Sequence, residues 1–367
     1  MSQISKDNNI AIAKALGIIL MVVGHSGCPQ MLSRFLYTFH MPLFFFCSGY
    51  FFKEIYDRQS LFLFCKKRIR GLYVPYIKWS LLFIFLHNVF FRLNILNELT
   101  SSYRYGIKDY AISVVKALLM SDYELLIRPF WFIKVLLIAS ILMAIISYLF
   151  NKLLRQPITK KSEHFMDLTN LLLLLFVSIL LKYFNWDVAV VGNLSVVTFS
   201  MVYIYLGKVF RFLEWKFSYH QTSTIIITFI ICLIGCNFIE GPIDMRYTTL
   251  WSILPYFMVS ICGILFTIFA SKILNGLSVN RFFYYIGNNT MPILALNMLA
   301  LKLGNLIKIL LLDLPIKQLS DYPIISEYND YFWLLYTLIG VSVPLITYKL
   351  YEVIKRIIVV GNVDQPI

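Results

Sequence analysis

The feature that most constrains this chain is a succession of apolar runs, each about as long as a bilayer core is thick. A helix rises about 1.5 Å per residue, so about 20 residues cross ~30 Å of hydrocarbon. Ten such runs are found, at roughly 10–27, 35–53, 72–92, 128–150, 168–184, 188–210, 222–239, 249–271, 283–301 and 331–353. The fifth is short, and 305–312 reads as an interfacial or re-entrant segment. Lipid offers backbone N–H and C=O groups no water to bond, so each crossing has to be a helix. The expected fold is an all-α polytopic membrane protein, a bundle of about ten transmembrane helices, with 1–367 a single integral membrane domain. Composition excludes a soluble globule: 59% of residues are hydrophobic and 14% charged, against about 25% charged in soluble domains.

The formal net charge of +14 lies in short segments between apolar runs, where helical membrane proteins keep Lys and Arg. Nucleic acid is therefore not an expected partner, and membrane lipids are. With the N-terminus inside, the inner segments hold 19 basic residues and the outer segments 11, and five of those 11 lie in or at the edges of the loop 93–127. The asymmetry predicts both termini in the cytoplasm. Within that outer loop, 107–120 reads as an amphipathic surface helix. The six cysteines, Cys28, Cys47, Cys65, Cys232, Cys236 and Cys262, lie mostly in apolar segments. They show neither a disulfide framework nor zinc spacing, so small buried hydrophobes are expected and no metal is implied. The first run ends in GHSGCPQ, which has no small-x-small cleavage site, and it reads as a retained helix. Asn-x-Ser/Thr matches at Asn193 and Asn288 fall in spans and are discounted as glycan acceptors.

Ionisable groups inside spans are costly and are functional candidates by default. Lys14 and His25 share the first span, eleven residues apart, which places them about 16 Å apart on roughly one helix face. His40 lies near the start of the second span, which returns inward, so it reaches a depth similar to that of His25. A neutral imidazole at that depth can take a proton from a hydroxyl; the plain alternative for both rings is packing with a hydrogen bond to a neighbouring helix. Lys78 and Lys134 read as snorkelling and His87 as interfacial. After the second span, KEIYDRQSLFLFCKKRIRGLYVPY sets Lys66, Lys67, Arg68 and Arg70 at the inner surface. They suit either a lipid-headgroup anchor or the phosphates of a cytosolic donor.

The runs AIAKALGIILMVVGHSG and FLYTFHMPLFFFCSGYFF, followed by CKKRIRGLYVPY, RPFWFIKVLL and YIGNNTMPILALN, resemble the acyltransferase-3 family of bacterial membrane acyltransferases, most closely its fucose 4-O-acetylase-like branch. The likeness covers most of the chain, with 150–280 similar in hydropathy alone. It implies that the family's basic-x10-His motif falls on Lys14 and His25, its basic-loop motif on Lys67 to Arg70, and its Trp-Phe pair on Trp131 and Phe132. Three positions depart from the pattern. Lys14 stands where Arg is common, Ala11 where an acidic residue is usual, and Asn297 where the late segment often has His. A second catalytic histidine from that helix is thus not expected, and His40 becomes the supporting candidate.

The resemblance further implies an O-acyltransferase moving an acetyl group from cytosolic acetyl-CoA to a hydroxyl of a surface polysaccharide or glycolipid. The protein is then expected in the bacterial cytoplasmic membrane. His25 is expected as general base, with His40 and Lys14 in the catalytic group. Lys67, Arg68, Arg70, Ser48, Trp131, Asn288 and Asn289 are expected to bind the donor or line its path. The rival readings are a glycan or lipid-precursor transporter or flippase without acyl transfer, and a scaffold for glycan assembly.

Overall fold

A computed structural model describes residues 3–100, 103–121, 124–154, 160–184, 186, 193–213, 221–328 and 331–361. The start of the expected 188–210 span, and Arg155 and Lys216 of the inner basic segments, lie outside the described residues. The described chain is helical, in the order α1 (Gln3–His25), α2 (Gln30–Tyr37), α3 (His40–Tyr50), α4 (Arg58–Arg68), α5 (Val74–Arg92), α6 (Ile107–Leu118), α7 (Trp131–Leu154), α8 (Lys160–Tyr183), α9 (Leu194–Leu213), α10 (Gln221–Gly235), α11 (Ile253–Asn275), α12 (Asn280–Asn288), α13 (Thr290–Leu312) and α14 (Phe332–Gly361). Among the described residues eight helical stretches are long and apolar enough to cross a membrane, and Thr222–Phe238 is a shorter apolar helix. This is a helical membrane bundle.

Three elements differ from the hydropathy reading. The expected span 35–53 is broken at Thr38 and Phe39 into α2 and α3. Eleven residues, the length of α3, rise only about 16 Å, too little to cross a bilayer. The basic stretch after α3 is not a loop. It is helical, and α4 continues through a wider turn at Ile69–Tyr73 into α5, so that Arg58–Arg92 is one uninterrupted helical stretch. The segment 305–312 is not interfacial, because it completes α13.

The reason lies in the loop beyond α13. Lys302 Nζ donates to the carbonyls of Ser320 (3.0 Å) and Asp321 (2.5 Å), and Lys308 Nζ to that of Ile325 (3.0 Å). Between them Asn305 donates to Leu319 and Asp321 and accepts from the Ile325 amide and the Tyr336 hydroxyl. A clasp of three polar side chains on one face of α13 thus meets the backbone of the loop 313–328. Both ammonium groups keep hydrogen bonds although their residues are buried, which is what permits cations at that depth.

Helix α1 is central and packs against α2, α3, α11, α12, α13 and α14. The tightest crossing is α3 on α9. A Cβ on Gly49 would lie 1.8 Å from the Ile204 carbonyl oxygen, and one on Gly207 2.0 Å from that of Phe46. Only two glycines facing each other let these backbones touch. The crossing fixes α3, and with it the floor of the site described next.

Candidate active site

Four of the expected residues share one cavity. Lys14, Ser48, Lys67 and Arg68 line a space of about 810 Å³, at the upper end of the range for small-molecule sites. The Arg68 guanidinium donates to Ser48 Oγ (2.9 Å) and lies over the Phe64 ring, 5.0 Å from its centroid. One wall is basic. The rest is largely apolar, from Phe44, Phe132, Ile133 and Leu136. That combination suits a ligand with an anionic head and an apolar or amide-bearing tail. At the basic end, Glu54 is held by Lys208 in an ion pair and by Ser147 Oγ at 2.5 Å, while Lys208 also reaches Asp167 at 2.7 Å.

The cavity runs along α1 from Lys14 to Met21, and across it to Met41. His25 is one helical turn beyond Met21 and His40 is the neighbour of Met41, so both histidines lie just past the residues that line the cavity. The Tyr37 ring stands between them, 6.3 Å from the His25 centroid and 4.9 Å from that of His40, nearly perpendicular to each. The small Gly24 makes room for it, since a Cβ there would meet the Tyr37 ring at 2.9 Å. The His25 ring is turned into the bundle, toward Tyr37.

The hydrogen bonds point to the tautomers. His40 Nδ1 is 2.8 Å from the Leu36 carbonyl; a carbonyl only accepts, so Nδ1 carries the proton and Nε2 keeps its lone pair. The Tyr37 hydroxyl reaches the Gly24 carbonyl and His25 Nδ1, each at 3.4 Å. With its one proton on the Gly24 side, the oxygen lone pairs accept His25 Nδ1–H; with the proton on the His25 side, Nδ1 accepts it instead. In the first arrangement His25 Nε2 is the free base.

Beyond the histidines, the charges of Asp244 and Arg246 are felt at His25, His40 and Tyr37. Arg246 clamps Asp244 through two nitrogens (Nε 3.0 and 3.1 Å, Nη2 2.6 Å) and lies over the Trp131 and Tyr247 rings at 4.7 and 5.0 Å. Burial draws the Arg246 guanidinium down, but the hydrogen bonds and charge of Asp244 outweigh it, and the group is held above its ordinary value. Nearby Tyr322 is pushed up to about 12 by burial, partly countered by Arg128 and Arg246, and so remains a neutral phenol.

Other expected residues are placed differently. Arg70 is exposed and does not line the cavity. Trp131 lies beneath Arg246 at the histidine end, while its neighbour Phe132 lines the cavity. Asn288 and Asn289 bond the carbonyls of Tyr284 and Tyr285, one turn back at the α12–α13 junction, and it is Thr290 and Met291 that reach the cavity. His87, expected at the interface, is packed within the protein. It is buried, stacked on Tyr105 at 3.6 Å and bonded to Glu124 Oε2 (2.9 Å) and the Tyr103 carbonyl (2.8 Å), which ties the segment before α6 to α5. Lys134 does not snorkel, being buried, whereas Lys78 is exposed. Sequence reasoning missed Tyr37, Asp244 and Arg246, and noted Asn297 only as a departure from the family pattern. The signal for Asp244 and Arg246 was GPIDMRY, an acid and a base two residues apart between two apolar runs.

A helical membrane bundle with a cavity, basic on one wall, whose lining ends one helical turn from a half-buried histidine and next to a buried one is the class of architecture that the residues define. The chain belongs to the acyltransferase-3 family: its model, described as an acyltransferase domain, matches residues 7–349, nearly the whole chain. It is therefore a membrane acyltransferase. No curated protein and no solved structure matches it.

Proposed function

We propose that the protein transfers an acetyl group from acetyl-CoA, bound from the cytosol, to a hydroxyl of a surface polysaccharide or glycolipid on the far side of the membrane. The observation that carries this reading is the cavity that joins Lys14, Lys67 and Arg68 at one end and stops one turn short of His25 at the other. In this reading ten elements cross the bacterial cytoplasmic membrane, α2 and α3 together counting as one, and both termini are cytoplasmic. The inner excess of basic residues supports that orientation.

Lys67 and Arg68 hold the phosphates of the donor head, with Lys14 at the entrance to the narrower part. The arm extends along α1 and brings the thioester to the histidines. His25 Nε2 takes the proton of the acceptor hydroxyl as its oxygen attacks the thioester carbon. The carbon–sulfur bond then breaks, and the departing thiolate recovers the proton from His25. Asp244, Arg246 and the Trp131 and Tyr247 rings form the side that the acceptor approaches, since flat rings and a fixed carboxylate–guanidinium pair suit a sugar. His40 supports Tyr37 and is the second candidate base.

The test is release of CoA from acetyl-CoA by the purified protein, with and without acceptor glycan, for wild type and His25→Gln. Loss of at least 100-fold in rate at unchanged abundance and thermal stability is expected. A His25→Gln protein as active as wild type would defeat the base assignment.

A further inference from the structure

Just past the lining of the cavity lies a buried polar group that nothing so far explains. Asn297, on α13 one turn beyond the cavity-lining Leu294, is 0% exposed. Its Oδ1 has no hydrogen-bond partner, and its Nδ2 has only the Met21 sulfur at 3.8 Å. A buried amide with both ends this poorly used costs stability, because neither group recovers what it lost on leaving water. Native proteins rarely keep such a group without a use for it. Among the described residues its one hydrogen-bond partner is a thioether, the most adaptable of apolar side chains, and that thioether belongs to a residue lining the cavity.

We propose that Asn297 is the receiving group for the amide-bearing arm of the acyl donor, and that Met21 is the movable stopper in front of it. This rests on the CoA-donor reading above and assigns the arm its polar contact. When the arm enters, Met21 swings aside. Asn297 Oδ1 accepts an arm amide N–H, and Nδ2 donates to the arm amide carbonyl. The spacing agrees with this. Met21 is seven residues beyond Lys14 on α1, about 10 Å, and His25 four residues further, about 6 Å. An amide held at the level of Met21 leaves the thioester, a short ethylene link away, beside the His25 ring. No bond is made or broken at Asn297, so it is a positioning residue.

The test compares affinities of the full-length protein in detergent for two probes, CoA and its head group alone, 3′-phospho-ADP. Asn297→Leu keeps the branching at Cγ and the heavy-atom count and removes both polar ends. It is expected to weaken CoA about tenfold, as the loss of two neutral hydrogen bonds would, and to leave the head group within about twofold. Because the amide is half-used without donor, the thermal midpoint of unliganded Asn297→Leu is expected to equal or exceed that of wild type. Met21→Ala removes the stopper and is expected to tighten CoA but not the head group. Unchanged CoA affinity in Asn297→Leu would overturn the assignment. So would a parallel loss of both probes with a lower midpoint, which would make Asn297 a packing residue. Wild type that binds neither probe would instead defeat the donor reading itself.

Discussion

Arg68 and Arg70 allow a sharp experiment, because they are two residues apart on a continuous helical stretch and therefore point to nearly opposite sides. Arg68 lines the cavity, half-buried, with one guanidinium nitrogen committed to Ser48 and the face resting on Phe64. Its remaining N–H donors are free for an anion. A hydrogen bond to a charged group contributes about 1.5–3 kcal/mol, which is a factor of roughly 10–150 in affinity. Arg70 is exposed and away from the cavity, where screening by solvent and salt leaves at most about twofold. Arg68→Ala is thus expected to raise KM for acetyl-CoA by 10- to 150-fold with a small change in kcat, and Arg70→Ala to be near neutral. Arg68→Lys should fall between, since a point charge replaces the fork. The assay is CoA release at varied acetyl-CoA, at two salt concentrations. Equal penalties for the two alanine variants would refute the reasoning, because only a diffuse surface potential treats both faces alike.

Three further outcomes are expected. Tyr37→Phe removes the acceptor for His25 Nδ1–H, and kcat should fall about tenfold, ~1.4 kcal/mol in the barrier, with KM for acetyl-CoA little changed in steady-state kinetics. Gly287→Ala would set a Cβ 1.8 Å from the Ala11 carbonyl oxygen, backbone against backbone; separating α12 from α1 should cost about 1–3 kcal/mol and lower the thermal midpoint in a fluorescence melt. Lys302→Met leaves the Ser320 and Asp321 carbonyls without their ammonium partner, and the loop 313–328 should become cleavable in limited proteolysis that spares it in wild type.

The membrane class, and the approximate place of almost every helix, could be read from hydropathy because apolar length is a local property. The break at Thr38–Phe39 could not. FLYTFHMPLFFF is apolar on both sides of it, and Pro42 is tolerated in the first turn of α3, where its missing N–H costs nothing. On the site side, Lys14, Ser48, Lys67 and Arg68 were legible because their chemistry is expensive near a membrane and their spacing along α1 and α4 is fixed. Asn288 and Asn289 misled because an amide at a helix end as readily bonds its own last turn as a ligand. The part played by Tyr37, and the unmet hydrogen bonds of Asn297, became visible only through contacts between distant parts of the chain. Asn297 meets Met21 across 276 positions, and no local pattern encodes that. The clasp residues Lys302, Asn305 and Lys308 did share a helical face in the sequence, but a lysine ending an apolar run looks the same whether it faces water or a folded loop.

The clasp on α13 also bears on how the chain is made. A lysine near the middle of a membrane segment costs about 2.5–3.5 kcal/mol during insertion; in α13 Lys302 lies mid-helix and Lys308 one turn from its end, with an asparagine between them. Their partners, the carbonyls of Ser320, Asp321 and Ile325 and the hydroxyl of Tyr336, all lie later in the chain. Nascent protein that has emerged only as far as Leu312 holds a helix with no companion for its cations, and the bilayer will accept it fully only after the next two dozen residues arrive.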